Sequence, residues 1–142
     1  MMKRFHLIVA ALVWSVSLAL ASDPTGVWAT QDGESHVRVA QCGKAFCGNI
    51  VWVKNPIDAE TGKISTDKFN PDPAKRNRRM LGIQIAVDMK PSGTPGKWSG
   101  HFYNADDGQT YEGSLILGGP GILYAEGCLA AFCMRQIWTK VK

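Results

Sequence analysis

Two copies of the spacing Cys-x-x-x-x-Cys constrain the fold of this 142-residue chain most strongly. They run from Cys42 to Cys47 and from Cys128 to Cys133, and a phenylalanine directly precedes the second cysteine of each. In an exported protein an even number of cysteines indicates disulfides, with three pairings open in principle. Four cysteines at this spacing could instead hold a zinc ion. A phenylalanine at that position is typical of a strand start, which favours disulfides and no metal site.

The first 21 residues have the pattern of a cleavable secretion signal. Two basic residues precede a mostly apolar run over 7–20, and Ala19-Leu20-Ala21 is a small-x-small cleavage site. The run is shorter than the roughly 20 residues that a membrane-spanning helix needs. We therefore predict a signal peptide at residues 1–21, a single mature domain at residues 22–142, no membrane span and a periplasmic location.

The charge of the mature domain is close to neutral. The whole chain has 16 basic and 12 acidic residues and a net charge of +4, which falls to +2 when the two basic residues of the signal are removed. Only Lys75, Arg76, Arg78 and Arg79 form a basic cluster. A nucleic-acid-binding protein usually has a wider basic stripe with interleaved aromatic residues, so we predict no nucleic-acid partner.

Alternation with period two dominates the mature domain. Residues 83–89 show it best, because Ile83, Ile85, Val87 and Met89 alternate with Gln84, Ala86 and Asp88. Turn signals separate eight such segments, which predict strands near 26–31, 35–42, 46–53, 82–89, 96–103, 109–117, 122–128 and 132–141. The prediction is an all-β fold, an eight-stranded antiparallel up-and-down barrel with one long loop, and a two-sheet sandwich is the alternative.

Several motifs resemble those of a known family. Gly26-Val27-Trp28 near the start, with Arg135 and Trp138 near the end, resembles the pattern of lipocalin-like (calycin) barrels. Cys42-Gly43-x-x-x-Cys47-Gly48-x-Ile50-Val51-Trp52, Asn70-Pro71-Asp72-Pro73 with a following Arg-x-Arg, and Asp107-Gly108 between two tyrosines resemble the exported bacterial DUF2147 family of unknown function. The chain departs from that pattern at Arg79 and Ala105, where prolines are expected.

The resemblance implies a lipocalin-like barrel with Gly26, Trp28, Arg135 and Trp138 at its base. In such a base Trp28 packs with Trp138, and the Arg135 side chain lies close to the Trp28 indole. The resemblance implies no catalytic residue and no cofactor.

The up-and-down order of strands also predicts the disulfide pairing. Consecutive connections alternate between the two ends of a barrel, so the two Cys-x-x-x-x-Cys hairpins lie at opposite ends. Bridged cysteines need Cα atoms within about 7 Å. We therefore predict the local pairs Cys42–Cys47 and Cys128–Cys133.

The long connection, residues 54–81, is the candidate functional element in the sequence. Turn-forming residues are followed by 74–80, a segment able to form one short helix. The connection is expected at the open end of the barrel, as a binding loop or as a flap that plugs the barrel. Inward-facing residues expected there, as pocket wall or plain core, are Trp52, Ile83, Phe102, Tyr111 and Met134, with Arg76 and Arg78 available to an anionic group.

Three functions remain open from the sequence. The leading hypothesis is an exported protein that binds or carries a small amphipathic or anionic molecule. The alternative is a module that docks an envelope protein and has a filled barrel. The third is a hydrolase, although no nucleophile elbow, zinc-protease helix or phosphate-binding loop is present. For a hydrolase the best candidate carboxylates are Asp106, Asp107 and Glu112.

Overall fold

The structure, a computed structural model, describes residues 11–15 and 22–142. Eight antiparallel strands close into one barrel in chain order, with β1 paired to β8. The predicted up-and-down barrel is therefore confirmed. Apart from residues 11–15, the predicted signal peptide lies outside the described residues. The strands are β1 (Gly26–Ala29), β2 (Ser35–Cys42), β3 (Ala45–Val53), β4 (Gln84–Pro91), β5 (Lys97–Asn104), β6 (Gln109–Leu117), β7 (Ile122–Leu129) and β8 (Phe132–Lys140).

Strand β4 does not follow the simple alternation that its sequence predicts. Ala86 and Met89 are both fully buried, although they were expected on opposite faces. The pairing of β4 slips by one residue at two places against β3, and at one place against β5 near Asp88, whose φ is +49°. Each slip is a bulge-type irregularity, and one extra residue moves all later side chains to the other face of a strand.

The base half of the barrel is filled by side chains. Three tryptophans, Trp28, Trp98 and Trp138, are at most 8% exposed and belong to one buried cluster. Burial of each large apolar side chain contributes roughly 1.5–3 kcal/mol. The other buried members of this cluster are Val37, Val39, Ala86, Met89, Leu115, Leu123 and Ala125.

Phe102 packs on this core halfway up the barrel. Its ring meets Trp138 edge to face, with 6.0 Å between ring centroids. The ring also lies directly over Gly113 on the neighbouring strand, where a Cβ atom would overlap it. The close approach of the Phe102 ring therefore requires a glycine at position 113. The ring extends the core towards the mouth.

Three of the four residues predicted for the barrel base lie together in the structure. Gly26 begins β1, and its φ of +151° and the nearby Lys142 carbonyl leave little room for a side chain. Trp28 is buried and donates a hydrogen bond from Nε1 to the Pro24 carbonyl at 2.9 Å. Trp138 is buried in the same cluster.

The predicted contact between Arg135 and Trp28 is wrong. Arg135 is three residues from Trp138 along a strand and therefore points to the opposite, outer face. There its guanidinium pairs with Glu126 at 3.0 Å and lies 4.9 Å from the Tyr124 ring centroid. The cation over Trp28 is Lys140, whose Nζ lies 5.6 Å from the ring centroid.

The two predicted disulfides are present at opposite ends of the barrel. Cys42 is joined to Cys47 across the β2–β3 turn, and Cys128 to Cys133 across the β7–β8 turn. A site holding zinc with all four cysteines is incompatible with this separation. Within the described residues no helix is long and apolar enough to cross a membrane.

Residues 74–80 do not form the short helix that their sequence allows. One 3-10 turn, Pro73–Lys75, forms instead, with the Asp72 side chain accepting a hydrogen bond from the Ala74 N–H. Beyond it the chain turns at residues 76–77, and an isolated antiparallel bridge joins Arg79 to Thr66.

Candidate functional site

The end of the barrel opposite Trp28 is its mouth, and two different structures border it. The first is the long loop, residues 54–81, which packs beside the β5–β6 turn. The second is the hairpin of β7 and β8, whose tip carries the Cys128–Cys133 disulfide. The two are held in place by different kinds of contact.

A buried carboxylate anchors the long loop to the barrel wall. Asp67 is fully buried and accepts hydrogen bonds from Tyr103 Oη at 2.5 Å, Asn70 Nδ2 at 2.8 Å and Arg78 Nε at 2.8 Å. Tyr103 belongs to β5, whereas the other three residues belong to the loop. We call Asp67, Asn70, Arg78 and Tyr103 the loop anchor, since they join the loop to the barrel.

The loop anchor is built around a charged carboxylate. Burial raises the pKa of Asp67, but hydrogen bonds from Tyr103, Asn70 and Arg78 outweigh it and hold the pKa below its ordinary value. Burial and the bond to Asp67 raise the pKa of Tyr103. Asp67 is therefore ionised and Tyr103 protonated at neutral pH.

The two arginines predicted to receive an anion also support the loop. Arg76 donates from Nε to the Asn70 carbonyl at 2.8 Å, and Arg78 donates from Nε to Asp67. An arginine has five N–H donors, so one such bond leaves donors for a ligand. Both residues are exposed at the surface of the loop.

Three of the five predicted lining residues lie on the inner face of the barrel. Phe102 and Tyr111 are direct cross-strand partners, so they share the inner face that packs against Trp138. Tyr111 Oη donates to Asp107 in the β5–β6 turn, and this bond raises the pKa of Tyr111. Met134 is an even number of residues from Trp138 on β8 and therefore also faces inwards.

The inward placement of Trp52 is wrong. His36 pairs with Trp52 while Val37 pairs with Ile50, so Val51 is an extra residue that reverses the faces of β3. Trp52 lies on the outer surface against His36, with ring centroids 4.3 Å apart. The fifth predicted residue, Ile83, is buried just before β4, where its carbonyl accepts the Ile50 N–H.

The β7–β8 hairpin exposes apolar side chains on its inner face. Leu129 and Phe132 are cross-strand partners, and Met134 follows on the same face of β8. They are 58%, 84% and 82% exposed. Their exposure has a simple cause: β1 pairs with β8 only through Trp28↔Lys140 and Ala29↔Thr139, so the barrel wall is open beside the rest of β8. We call Leu129, Phe132 and Met134 the hairpin patch.

Among the surface clefts in the described part of the chain, two have similar volumes. One, of about 380 Å³, lies at the base beside Trp28 and residues 117–122. The other, of about 350 Å³, lies between β3 and the end of the long loop and is lined by Arg78, Arg79 and Ile83 among others. Neither cleft includes the hairpin patch.

The other candidate groups are dispersed. Asp106 and Asp107 form the β5–β6 turn, where the Gln109 N–H donates to Asp107, and Glu112 pairs with His101 across the strands. Across residues 11–15 and 22–142, one group has metal-ligand spacing, Glu126 with Cys128 and Cys133. Both of its sulfurs are in the disulfide, so they are not thiolate ligands.

Sequence reasoning did not find Asp67, Tyr103 or most of the hairpin patch. Asn70 and the Arg-x-Arg pair stood out only as motifs, and their common partner Asp67 is one acidic residue in a polar loop. The phenylalanine before Cys133 was interpreted as a strand start, which it is. Its exposure depends on how far β1 extends, which the pattern of β8 does not reveal.

Comparisons with known proteins agree with this barrel. Residues 26–140 match the model of the family described as "Uncharacterized protein conserved in bacteria (DUF2147)". The chain belongs to this family. A solved structure, protein HP1028 from the human pathogen Helicobacter pylori, described as belonging to the lipocalin family, is similar with a TM-score of 0.69 and 22% identity over 84% of each chain. This likeness shows a lipocalin-like fold. A comparison with curated protein sequences gives no match.

Proposed function

We propose that this DUF2147 protein binds a small amphipathic molecule at the mouth of its barrel. The observation that carries the proposal is the hairpin patch, three apolar side chains that face the barrel interior and are more than half exposed. Exposed apolar surface beside an opening is typical of a binding site. The lipocalin-like fold is compatible with such a role.

The filled base limits how deep the ligand can lie. Trp28, Trp98 and Trp138 occupy the lower half, and Phe102 lies above them. An apolar chain would therefore rest across the mouth, between Phe102 and the hairpin patch. This arrangement suits a single acyl or isoprenoid chain better than a bulky ring system.

The basic residues of the long loop favour an anionic head group. Arg76, Arg78 and Arg79 lie on the returning part of this loop, at the same end of the barrel as the hairpin patch. Arginine binds carboxylate or phosphate through paired N–H donors. The ligand class we propose is therefore a fatty acid, a lysophospholipid or an isoprenoid phosphate.

The location we propose is the periplasm, reached through a signal peptide at residues 1–21. Two disulfides and membership of a bacterial family fit an exported protein. An envelope compartment also contains the lipid-like molecules that the mouth would bind.

The test is titration of a dansyl-labelled fatty acid and of a lysophospholipid at low protein concentration. Phe132→Asp should weaken binding at least about tenfold, because burial of one large apolar side chain contributes roughly 1.5–3 kcal/mol. Ile137→Asp is the matched control, since Ile137 lies on the outer face of the same strand and is 45% exposed. It should bind as the wild type does.

The head group is tested separately. Arg76→Ala should weaken binding of the anionic probe by about 1.5–3 kcal/mol if it removes one charge-assisted contact. The affinity of the variant should also depend less on salt concentration. Lys75→Ala, which removes the neighbouring cation, is the control. A wild-type protein that binds no fatty acid, lysophospholipid or isoprenoid probe would contradict the proposed function and favour the protein-docking alternative.

A further inference from the structure

Strand β8 extends beyond its neighbour β1. Along β7 it is paired from Leu129↔Phe132 to Ile122↔Thr139. Towards β1 the last contact is made by a side chain, because Gln31 Oε1 accepts the Ile137 N–H at 2.8 Å. Residues 132–136, which we call the β8 edge, have no strand partner on that side among the described residues. Five residues of strand span about 17 Å.

The backbone groups on the β8 edge can be identified. Ile137 donates towards the β1 side, and N–H directions alternate along a strand, so Arg135 and Cys133 also face the edge. The Cα separation of 4.0 Å between Cys128 and Cys133 agrees, because the narrow pairs of an antiparallel ladder are the ones without mutual hydrogen bonds. The N–H and C=O groups of Cys133 and Arg135 are therefore directed away from β7.

We propose that the β8 edge pairs antiparallel with the β8 edge of a second copy of this chain, about a two-fold axis at Met134. This alignment places Cys133 opposite Arg135 of the second copy, and Arg135 opposite its Cys133. It uses the edge-facing N–H and C=O groups of both residues and forms about four hydrogen bonds between the chains. The Met134 side chains meet at the axis, beside Phe132 of each chain.

Competing alignments and partners fit less well. A two-fold axis at Arg135 would bring two arginines directly opposite each other, which is destabilising. It would also require the Ile137 N–H, which Gln31 already binds. The pairing at Met134 is self-complementary and closes with two copies, leaving no edge for a third. An exposed apolar strand edge is a general site for addition of another strand.

The pairing goes beyond the proposed ligand binding and does not depend on it. A ladder of five residues is a small interface, at the low end for specific association, so the dimer should dissociate on dilution. Ligand binding measured at low protein concentration then reports on the monomer. Failure of either proposal leaves the result of the other intact.

The first test is sedimentation velocity of the purified protein from low micromolar to near-millimolar concentration. The wild type should change from the mass of one chain to that of two. Arg135→Pro, which removes an edge N–H but no hydrogen bond to β7, should remain monomeric. Arg135→Ala loses the same ion pair with Glu126 and keeps the N–H, so it should dimerise like the wild type.

The second test fixes the alignment without risk to folding, because Met134 is exposed. Met134→Asp and Met134→Lys should each be monomeric alone, and an equimolar mixture should form a heterodimer. Gln136→Glu and Gln136→Lys are the control pair, since position 136 would lie opposite Phe132 of the second copy and not opposite another position 136. Mixing these two variants should therefore form no more dimer than either variant forms alone. A monomer at every concentration, a dimer unaffected by Arg135→Pro or by charge at position 134, or growth beyond two copies would each overturn the proposal.

Discussion

The two ends of this barrel carry the same disulfide spacing but are stabilised in different ways. At the base, the Cys42–Cys47 hairpin is packed into the core: Ala45 and Cys47 are buried, and Phe46 meets Trp98 edge to face at 5.8 Å. At the mouth, the Cys128–Cys133 hairpin has an exposed tip, and the neighbouring long loop is held by the polar loop anchor. A covalent link within a hairpin thus does not decide whether that hairpin is part of the core.

The difference is physical and has consequences for function. Apolar packing at the base does not depend on charged groups, so it tolerates changes of pH and salt. The loop anchor contains a charged carboxylate, so its contribution to the free energy of unfolding changes with pH. A filled apolar base with an exposed mouth fits the binding role proposed above, because the scaffold and the binding surface can change independently.

The largest effect should come from the base. Trp28→Ala should reduce the free energy of unfolding by about 3–5 kcal/mol, because the indole is buried and its Nε1 hydrogen bond to Pro24 is lost. Urea unfolding followed by circular dichroism measures this loss. Trp52→Ala is the matched control, since Trp52 lies on the outer face and is 42% exposed. If the two variants lose the same stability, the contrast between core and surface tryptophans is wrong.

A smaller, pH-dependent effect is expected from the loop anchor. Asp67→Asn should reduce the free energy of unfolding by about 2–3 kcal/mol at neutral pH, since the carboxylate accepts hydrogen bonds from three groups. The loss is not larger because the charge of Arg78 is partly screened by solvent. Because the folded pKa of Asp67 is lowered, its contribution is complete above the unfolded pKa of about 3.9 and is lost as the pH falls through the folded pKa.

Urea unfolding between neutral and strongly acidic pH tests this sign. The difference in free energy of unfolding between the wild type and Asp67→Asn should disappear as the pH becomes strongly acidic. The difference between the wild type and Trp28→Ala should stay similar at every pH. An advantage that persists unchanged in acid would mean that Asp67 acts through its shape and not through its charge.

The sequence predicted what depends on repeated local patterns. Period-two alternation and turn residues were sufficient for eight strands, and alternation of the connections was sufficient for both disulfides. The placement of Trp52 failed because a bulge at Val51 is a property of the backbone, and no apolar pattern marks it. The error at Arg135 has a different origin. Its odd spacing from Trp138 already indicated that the two side chains lie on opposite faces of the strand, but the family resemblance implied that Arg135 lies at the base.

The candidate site was harder to predict because it depends on where elements end. The hairpin patch is exposed because β1 stops at Ala29, far short of the tip of β8. The loop anchor joins Asp67 to Tyr103, residues 36 positions apart that come together only in the folded chain. Neither relation can be inferred from composition or periodicity within one segment.

The smallest effect should separate the two disulfides. Each closes a loop of the same length, so the entropy of the unfolded chain alone predicts about 2 kcal/mol for either. Replacing Cys42 and Cys47 together by alanine should cost about that amount, because the β2–β3 hairpin remains packed in the folded state. Replacing Cys128 and Cys133 should cost less: the β7–β8 tip lacks a partner in β1, so it can fray and regain entropy while the barrel stays folded. Urea unfolding gives the two costs, and amide hydrogen exchange should be faster over 129–134 in the second variant only. Equal costs with unchanged exchange at the tip would mean that the two hairpins are equally held, and that the difference between the ends of the barrel does not extend to their disulfides.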